Sequence, residues 1–294
     1  MTVRKVGVLA NLEKQGVSSV FERVCAWAKQ QDAQLLTNAT GVQAKPTLGN
    51  PFGVETADLK ALFRDADILV CLGGDGTLLY AAQLIADAAV PVLSVNLGSL
   101  GFHTQVNPAT LDACLHRISE GDMPVERRMM LAASFPDRSS GAETPVALND
   151  VVISKSAWGH MVTLRLSIDG QVVSDISADA LIVSSPTGSS AYNYAAGGPV
   201  FFPTMEALIL NTLCAHRMRV TPLVVSPEAE LEVVLRPRRP EDSAQVLLDG
   251  QPWNTLADGE TLKISRADVY LPLIVFENDF YRKLREKLRW GGLI

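Results

Sequence analysis

Up to about Arg127 the chain alternates short β-branched and aliphatic runs with segments whose apolar positions recur every three or four residues. That alternation predicts a parallel sheet covered by helices. Residues 6–10 read as the first strand. In the helical segment after it, Ser19 and Glu22 have capping-box spacing, and Val20, Val24, Trp27 and Ala28 share one face. Residues 37–53 are rich in Thr, Asn, Gly and Pro and too long for a simple connection, which leaves two readings, a mobile lid or a solvated insertion without function. A second helix is predicted around Leu59, Leu62 and Phe63. The run Ile68-Leu69-Val70-Cys71-Leu72 has no polar interruption, as a strand buried on both faces requires. A glycine cluster follows directly. Leu78, Leu79, Ala82 and Ile85 then mark a helix, residues 92–95 a strand, and Leu111, Leu115 and Ile118 another helix.

Beyond Arg127 the pattern changes to strands joined by turns, as in Leu164-Arg165-Leu166-Ser167-Ile168 before Asp169-Gly170. Near the end, Phe280, Leu284 and Leu288 recur at i, i+4, i+8 among Arg and Lys, which predicts an amphipathic helix returning to the first domain. The expected division is therefore an α/β domain over residues 1–126, completed by a helix at 277–294, and a mainly β domain over 127–276. Met129-Met130-Leu131, near the boundary, reads as core filling.

Composition narrows the classes of function. The 294 residues and 47% hydrophobic content can fill two cores, and a net charge of -6 argues against a general nucleic-acid binder. Any phosphate site must be local. The first apolar run is far too short for a signal-peptide core or a spanning helix, so a cytoplasmic protein without membrane attachment is expected. Cys25, Cys71, Cys114 and Cys214 are widely separated among apolar neighbours and read as reduced and mostly buried.

The chemistry concentrates in Gly73-Gly74-Asp75-Gly76-Thr77, at the end of the apolar strand. Open α/β sheets bind ligands beyond the carboxyl ends of their strands. The missing Cβ atoms of Gly73 and Gly74 let a phosphate approach the main chain, whose N–H groups, with the next helix's N-terminus, attract anions. Thr77 can add a hydroxyl. A carboxylate in such a cradle repels the ligand unless it serves a purpose, so Asp75 is the candidate for orienting a hydroxyl nucleophile and taking its proton late. An Asp-Gly turn with capping duty is the alternative. A second turn, Asn96-Leu97-Gly98-Ser99-Leu100-Gly101-Phe102, should leave the same sheet edge. Phe102 suits stacking on a base or packing between domains, and His103 suits a ligand contact or packing.

In the β half, Asn149-Asp150 interrupts an apolar strand, and buried polar groups there need partners. Ribose hydroxyls would satisfy them, and a strand-edge turn is the other reading. Ser185-Pro186-Thr187-Gly188-Ser189-Ser190-Ala191-Tyr192 is a small, hydroxyl-rich loop ending in an aromatic ring, suited to a nucleotide. Asp249-Gly250-Gln251 reads as a hairpin turn. No Walker motif, no G-x-G-x-x-G in the first strand-helix unit, no H-E-x-x-H and no G-x-S-x-G is present, which removes P-loop enzymes, ordinary dehydrogenases, zinc proteases and serine hydrolases.

Taken in order and spacing, the Gly-Gly-Asp-Gly-Thr loop, the Asn-x-Gly-x-x-Gly-Phe turn, Leu148-Asn149-Asp150-Val151 and residues 185–192 resemble the motifs of the NAD kinase family. Gly197-Gly198-Pro199, Asp249-Gly250-Gln251 and the closing Leu284-Arg285-Glu286-Lys287-Leu288 extend the resemblance over nearly the whole chain. The first motif alone is shared with diacylglycerol and sphingosine kinases and 6-phosphofructokinases. The resemblance implies an α/β N-terminal domain, Rossmann-like or phosphofructokinase-like, plus a mainly β, sandwich-like C-terminal domain. It implies phosphoryl transfer from ATP, or polyphosphate, to the 2′-hydroxyl of the adenosine ribose of NAD, with Mg2+ or another divalent cation. Asp75 would accept the proton, and Gly73, Gly74, Gly76 and Thr77 would hold phosphates. Phe102 would lie at the adenosine, Asn149 and Asp150 on ribose hydroxyls, and Ser190, Ala191 and Tyr192 along the dinucleotide, with Thr187, Gly188 and Ser189 of the same loop and His103 as further candidate contacts. Asp179 would reach a neighbouring subunit's site in a homodimer or homotetramer.

The chain departs from the commonest family pattern with Asp150 for Glu, Ala180 for Gly, and Ser185 and Ser190 for Thr; His103 replaces Leu or Tyr, and Ala215 and Thr221 stand for Pro and Arg. Rival readings are a lipid or other small-molecule kinase sharing the glycine loop, and a dinucleotide sensor without turnover.

Overall fold

The chain divides into two units, Met1–Arg127 with Leu271–Ile294, and Arg128–Tyr270. The computed structural model describes residues 3–37, 55–56, 63–84, 88–98, 101–104, 106–138, 144–156, 161–216, 220–237 and 242–291. Residues 38–53 of the segment read as a lid or insertion, the helical positions Leu59 and Leu62, and Ile85 lie outside the described residues.

In the first unit, β1 (Lys5–Ala10), α1 (Val17–Gln30), β2 (Gln34–Thr37), β3 (Glu55–Thr56), β4 (Ile68–Gly73), α2 (Asp75–Leu84), β5 (Val92–Asn96) and α3 (Leu111–Ser119) follow in chain order. The strands are parallel and lie in the order β3-β2-β1-β4-β5. Every residue of β4 is buried, because apolar side chains on both faces pack inward. α1 buries Val17, Val20, Phe21, Val24, Trp27 and Ala28, the stripe read from its periodicity. Its start differs from the expected capping box. Gly16, in the left-handed region at φ 79°, turns the chain into a helix that already begins at Val17, so Ser19 lies inside the first turn.

The strand order reverses between β1 and β4, since β1 leads outward to β2 while β4 leads the other way to β5. Such a switch point opens a crevice at the carboxyl edge. The turns after β4 and β5 both emerge at that edge, for Gly73 pairs with Asn96 in the parallel ladder and Leu97 N–H donates to Gly73 O at 2.7 Å.

The second unit begins within β6 (Val125–Ser134), which pairs with β7 (Val146–Ala147). It continues through β8 (Asp150–Lys155), β9 (Val162–Ile168), β10 (Gln171–Ala178), β11 (Ala180–Ser184), a one-turn helix α4 (Tyr192–Ala195), β12 (Leu208–Leu213), β13 (Leu223–Val225), β14 (Leu231–Leu235), β15 (Ala244–Leu248), β16 (Gln251–Leu256) and β17 (Thr261–Ile274). One antiparallel run orders β10-β9-β14-β17 and a second orders β13-β12-β11-β8-β15-β16. Alternate residues of β9, β14 and β15 point inward, and Leu164, Leu166, Val233 and Ile264 from one sheet share a core with Ile153, Leu181, Val183 and Val246 from the other. This is a sandwich.

The last strand, β17, ends in the first unit, where Leu273 pairs with Val92. α5 (Phe280–Leu288) follows and belongs to that unit too. Its apolar stripe is only half-buried; the fully buried residue is Lys283, at 1% exposure. Cys71 and Cys114 are buried and Cys25 half-buried, whereas Cys214 is exposed, contrary to expectation, in the left-handed region at φ 51° just past β12. All four thiols are free.

Candidate active site

At the head of α2, Leu78 N–H donates to Gly74 O, so the helix starts on Asp75. The Asp75 carboxylate leans onto the second turn. Its Oδ2 accepts the N–H of Phe102 at 2.7 Å, and its Oδ1 accepts those of His103 at 3.1 Å and Thr104 at 3.2 Å. Two ionised oxygens offer about four acceptor positions, so roughly one is left for a further donor. A Cβ on Gly101 would stand 2.2 Å from Asp75 Oδ1, which explains a glycine there. The geometry joins both glycine turns through one carboxylate.

The turn's other glycines have different reasons. A Cβ on Gly73 would meet Thr77 Oγ1 at 2.0 Å, so the space expected for a phosphate beside Gly73 is occupied by the Thr77 side chain, itself 3% exposed. Thr77 therefore turns its hydroxyl inward rather than toward a ligand. Gly74 and Gly76 have open space where a Cβ would lie, within reach only of Asn96 Oδ1 at 3.9 Å from Gly74. Anion approach to the main chain is left to those two positions and to the N–H groups of the first helical turn.

Lys283 carries chemistry that the pattern did not disclose. Its Nζ donates to Phe102 O at 3.1 Å and Thr104 O at 2.8 Å, and pairs with Asp279 Oδ1 at 3.2 Å. Burial pushes its ammonium below the ordinary lysine range, with Asp279 and Asp75 opposing that shift. The available signal was the i, i+4 spacing of Asp279 and Lys283. Phe102 meets Phe280 edge-on at 5.8 Å between centroids. His103 is 6% exposed, and its backbone N–H serves Asp75, a part that neither reading of its ring supplied.

In the second unit a similar cradle recurs. Asp249 turns the hairpin between β15 and β16, at φ 49° before Gly250 at 77°, and its carboxylate accepts the N–H groups of Leu148 at 3.0 Å, Asn149 at 2.7 Å and Asp150 at 3.2 Å. The loop after β11 closes on the same segment. Ser185 N–H donates to Asn149 O at 2.9 Å, and Ser185 Oγ donates to Leu148 O and accepts Gly188 N–H at 3.1 Å. Asn149 is 7% exposed and Thr187 2%, yet among the described residues Asn149 Oδ1 and Thr187 Oγ1 have no hydrogen-bond partner. An orphaned buried acceptor is costly unless a ligand completes it. Ser189 is fully buried and bonds Pro186 O and Phe201 N–H, and so shapes the loop instead of lining it. Ser190 and Ala191 are part-exposed, Tyr192 is 39% exposed, and its phenol is raised by burial and by the charges of Asp150, Cys214 and Asp179. Asp179 pairs with Lys155 Nζ at 2.7 Å.

Burial, then the neighbouring Asp249, pushes the Asp150 carboxyl up to about 7. The raised value has a definite sign for stability. Below the unfolded value of 3.8 the group is protonated in both states. From there up to about 7 the folded state holds a proton that the unfolded state has lost, so stability falls as pH rises, and above about 7 the loss is complete. A shift of roughly three units bounds the loss at about 4 kcal/mol. Asp150→Asn should therefore gain more stability over the parent at pH 8 than at pH 5, read by denaturant unfolding at both; equal differences would refute the buried-acid account.

Among the described residues no group of three or more His, Cys, Asp or Glu side chains is arranged to hold a metal ion, and no helix is long and apolar enough to cross a membrane.

A carboxylate and open glycines at the switch point of a parallel α/β sheet, joined in sequence to a β-sandwich with buried polar atoms unpartnered among the described residues, are the arrangement of a two-domain phosphotransferase class. The family model described as ATP-NAD kinase N-terminal domain matches residues 6–123, and that described as ATP-NAD kinase C-terminal domain matches 148–276. The chain belongs to the NAD kinase family. It is 38% identical over 292 residues to an NAD kinase of Moorella thermoacetica, covering 99% of this chain and 91% of that one. It is 35% identical over 289 residues to an NAD kinase of Koribacter versatilis, covering 98% and 99%. In fold it resembles the crystal structure of yeast NADH kinase complexed with NADH, with a TM-score of 0.84 at 20% identity over 100% of this chain and 90% of that one. It also resembles an NAD kinase from Archaeoglobus fulgidus in complex with ATP, with a TM-score of 0.75 at 24% identity over 97% and 98%. The match across the β half sets the chain apart from kinases that share only the glycine loop.

Proposed function

We propose that this chain transfers the γ-phosphoryl group of Mg-ATP to the 2′-hydroxyl of the adenosine ribose of NAD, giving NADP and ADP. The observation that carries the assignment of roles is the Asp75 carboxylate, held by three consecutive backbone N–H groups with about one acceptor position to spare. That position suits the attacking hydroxyl. The ribose oxygen bonds to the γ-phosphorus, the bond to the bridging oxygen of ADP breaks, and the hydroxyl proton passes to Asp75 late, when the oxygen has become acidic. Gly74, Gly76 and the first turn of α2 offer main-chain donors for the phosphate charge that develops.

In the second unit, Asn149 Oδ1 and Thr187 Oγ1 have no partners among the described residues, and hydroxyl groups of a dinucleotide would supply them. Asp150 adds a second acceptor, and Ser190, Ala191 and Tyr192 offer exposed surface for the rest of the ligand. Magnesium enters as part of the nucleotide substrate, where it neutralises phosphate charge. Polyphosphate is a possible second donor. A cytoplasmic homodimer or homotetramer is the assembly the family resemblance supports, and light scattering reads it.

Purified protein incubated with NAD and Mg-ATP should form NADP, detected with an NADP-specific dehydrogenase. Absence of NADP under conditions where the protein is folded would sink the proposal.

A further inference from the structure

Lys283 is the most buried charged side chain among the described residues, yet the proposed chemistry makes no use of it. Its place is specific. The carbonyl of Phe102 and the N–H of His103 belong to one planar trans peptide and point opposite ways. The carbonyl oxygen accepts from Lys283 Nζ at 3.1 Å, and the N–H donates to Asp75 Oδ1 at 3.1 Å. One peptide group thus lies between an ammonium and a carboxylate, its negative end toward the first and its positive end toward the second. Hydrogen bonds in such a chain polarise and strengthen one another. Thr104 repeats the arrangement within one residue, its N–H on Asp75 Oδ1 at 3.2 Å and its carbonyl on Lys283 Nζ at 2.8 Å.

The ammonium has three N–H donors, and two carbonyls and Asp279 Oδ1 account for them. A lysine that merely anchored α5 could run its stem along the surface and leave its charge in water. Here the charge is enclosed, and two of its three bonds are spent on the turn that holds Asp75. Burial has a further consequence. Without the ammonium, both carbonyls would lose their donor, that of Thr104 in a buried position, so the turn would relax toward water and carry its N–H groups with it.

We propose that Lys283 is a positioning residue for phosphoryl transfer, acting through the Phe102–His103 peptide and Thr104 to fix the direction of the Asp75 carboxylate. The inference rests on Asp75 being the group at the reacting hydroxyl. α5 therefore contributes to the chemistry without touching a substrate.

The test compares steady-state kinetics of the full chain with NAD and Mg-ATP in Lys283→Met, which keeps the stem and removes the ammonium, and Lys283→Gln, which restores an N–H donor without charge. Misplacing a reacting group by a fraction of an ångström to one ångström costs roughly 10- to 100-fold in rate. Lys283→Met should lose at least about tenfold in kcat, with KM for both substrates within about threefold, and Lys283→Gln should recover part of the loss. Circular dichroism establishes folding at the assay temperature, and Lys283→Gln carries the test alone if the methionine variant does not fold. A folded variant with kcat within about twofold of the parent overturns the proposal, as does a loss confined to KM. Asp75→Asn measured beside them separates the two ideas. If it turns over normally, the reading of Asp75 fails; if it is inactive while the Lys283 variants run at the parent rate, only the positioning role fails.

Discussion

Asp75→Asn is expected to lower kcat by about three orders of magnitude while leaving the dissociation constant for NAD within about threefold, because a proton acceptor contributes to the transition state and not to ground-state binding. The amide cannot reproduce the carboxylate's bonds. If its oxygen faces His103 and Thr104, its NH2 confronts the Phe102 N–H, which now lies 2.7 Å from Oδ2; the opposite orientation sets the NH2 against two donors. Either way at least one N–H loses its acceptor, at about 1–3 kcal/mol. The variant should therefore melt below the parent as well as lose turnover. Titration calorimetry with NAD and the coupled NADP assay separate the effects. Turnover within about tenfold of the parent would remove Asp75 from the chemical step.

Gly188→Ala should do comparable damage in the second unit by a steric route. The added Cβ would sit 2.1 Å from Asn149 O, 2.4 Å from its carbonyl carbon and 2.5 Å from its Cα. These are main-chain atoms, and they cannot step aside cheaply. The three N–H bonds to Asp249 hold residues 148–150 from one side, and Ser185 N–H holds Asn149 O at 2.9 Å. Overpacking against a fixed backbone costs about 3 kcal/mol or more, roughly a 10 °C fall in melting temperature for a unit of this size. Binding of NAD should weaken by at least about tenfold, since Asn149 and Thr187 would be displaced together. Gly76→Ala is the control, because its Cβ would meet nothing within 4 Å. Its melting temperature should stay within a few degrees, since Gly→Ala at an unstrained position changes stability by about 1 kcal/mol or less. A parent-like melt and parent-like NAD affinity for Gly188→Ala would show that the loop after β11 can move as a body.

Much of the first unit was legible because its signals are local. A short apolar run of β-branched and aliphatic residues that ends in a glycine cluster fits a strand buried on both faces, and the stripe of α1 has a single helical solution. The capping box failed because spacing alone does not distinguish an N-cap from a first turn; the left-handed turn at Gly16 decided where α1 begins. Gly73 and Thr77 were read as two separate ligand contacts, whereas each is explained by the other. Asp249 was read as a turn residue, and it does occupy a hairpin. Its side chain, however, reaches residues about a hundred positions earlier in the chain, at a separation no local pattern can disclose. Asn149 was legible as a polar residue among apolar neighbours; it lies in the bend between β7 and β8, the strand-edge alternative, where it is buried with an oxygen unpartnered among the described residues. Lys283 was hidden by the ordinary rule that lysines face water: the apolar stripe of α5 drew attention to Phe280, Leu284 and Leu288, while the charged residue beside them took the buried position.

The first unit is discontinuous in sequence, closed by residues 271–294 after the chain has completed the second. This imposes an order on biosynthesis. Residues 128–270 form one compact unit and can collapse together as they leave the ribosome, whereas the turn that cradles Asp75 lacks the Lys283 donor for two of its carbonyls until translation has passed that residue. A message cut short between residues 270 and 283 therefore carries the whole of the second unit but lacks the ammonium that holds the turn around Asp75.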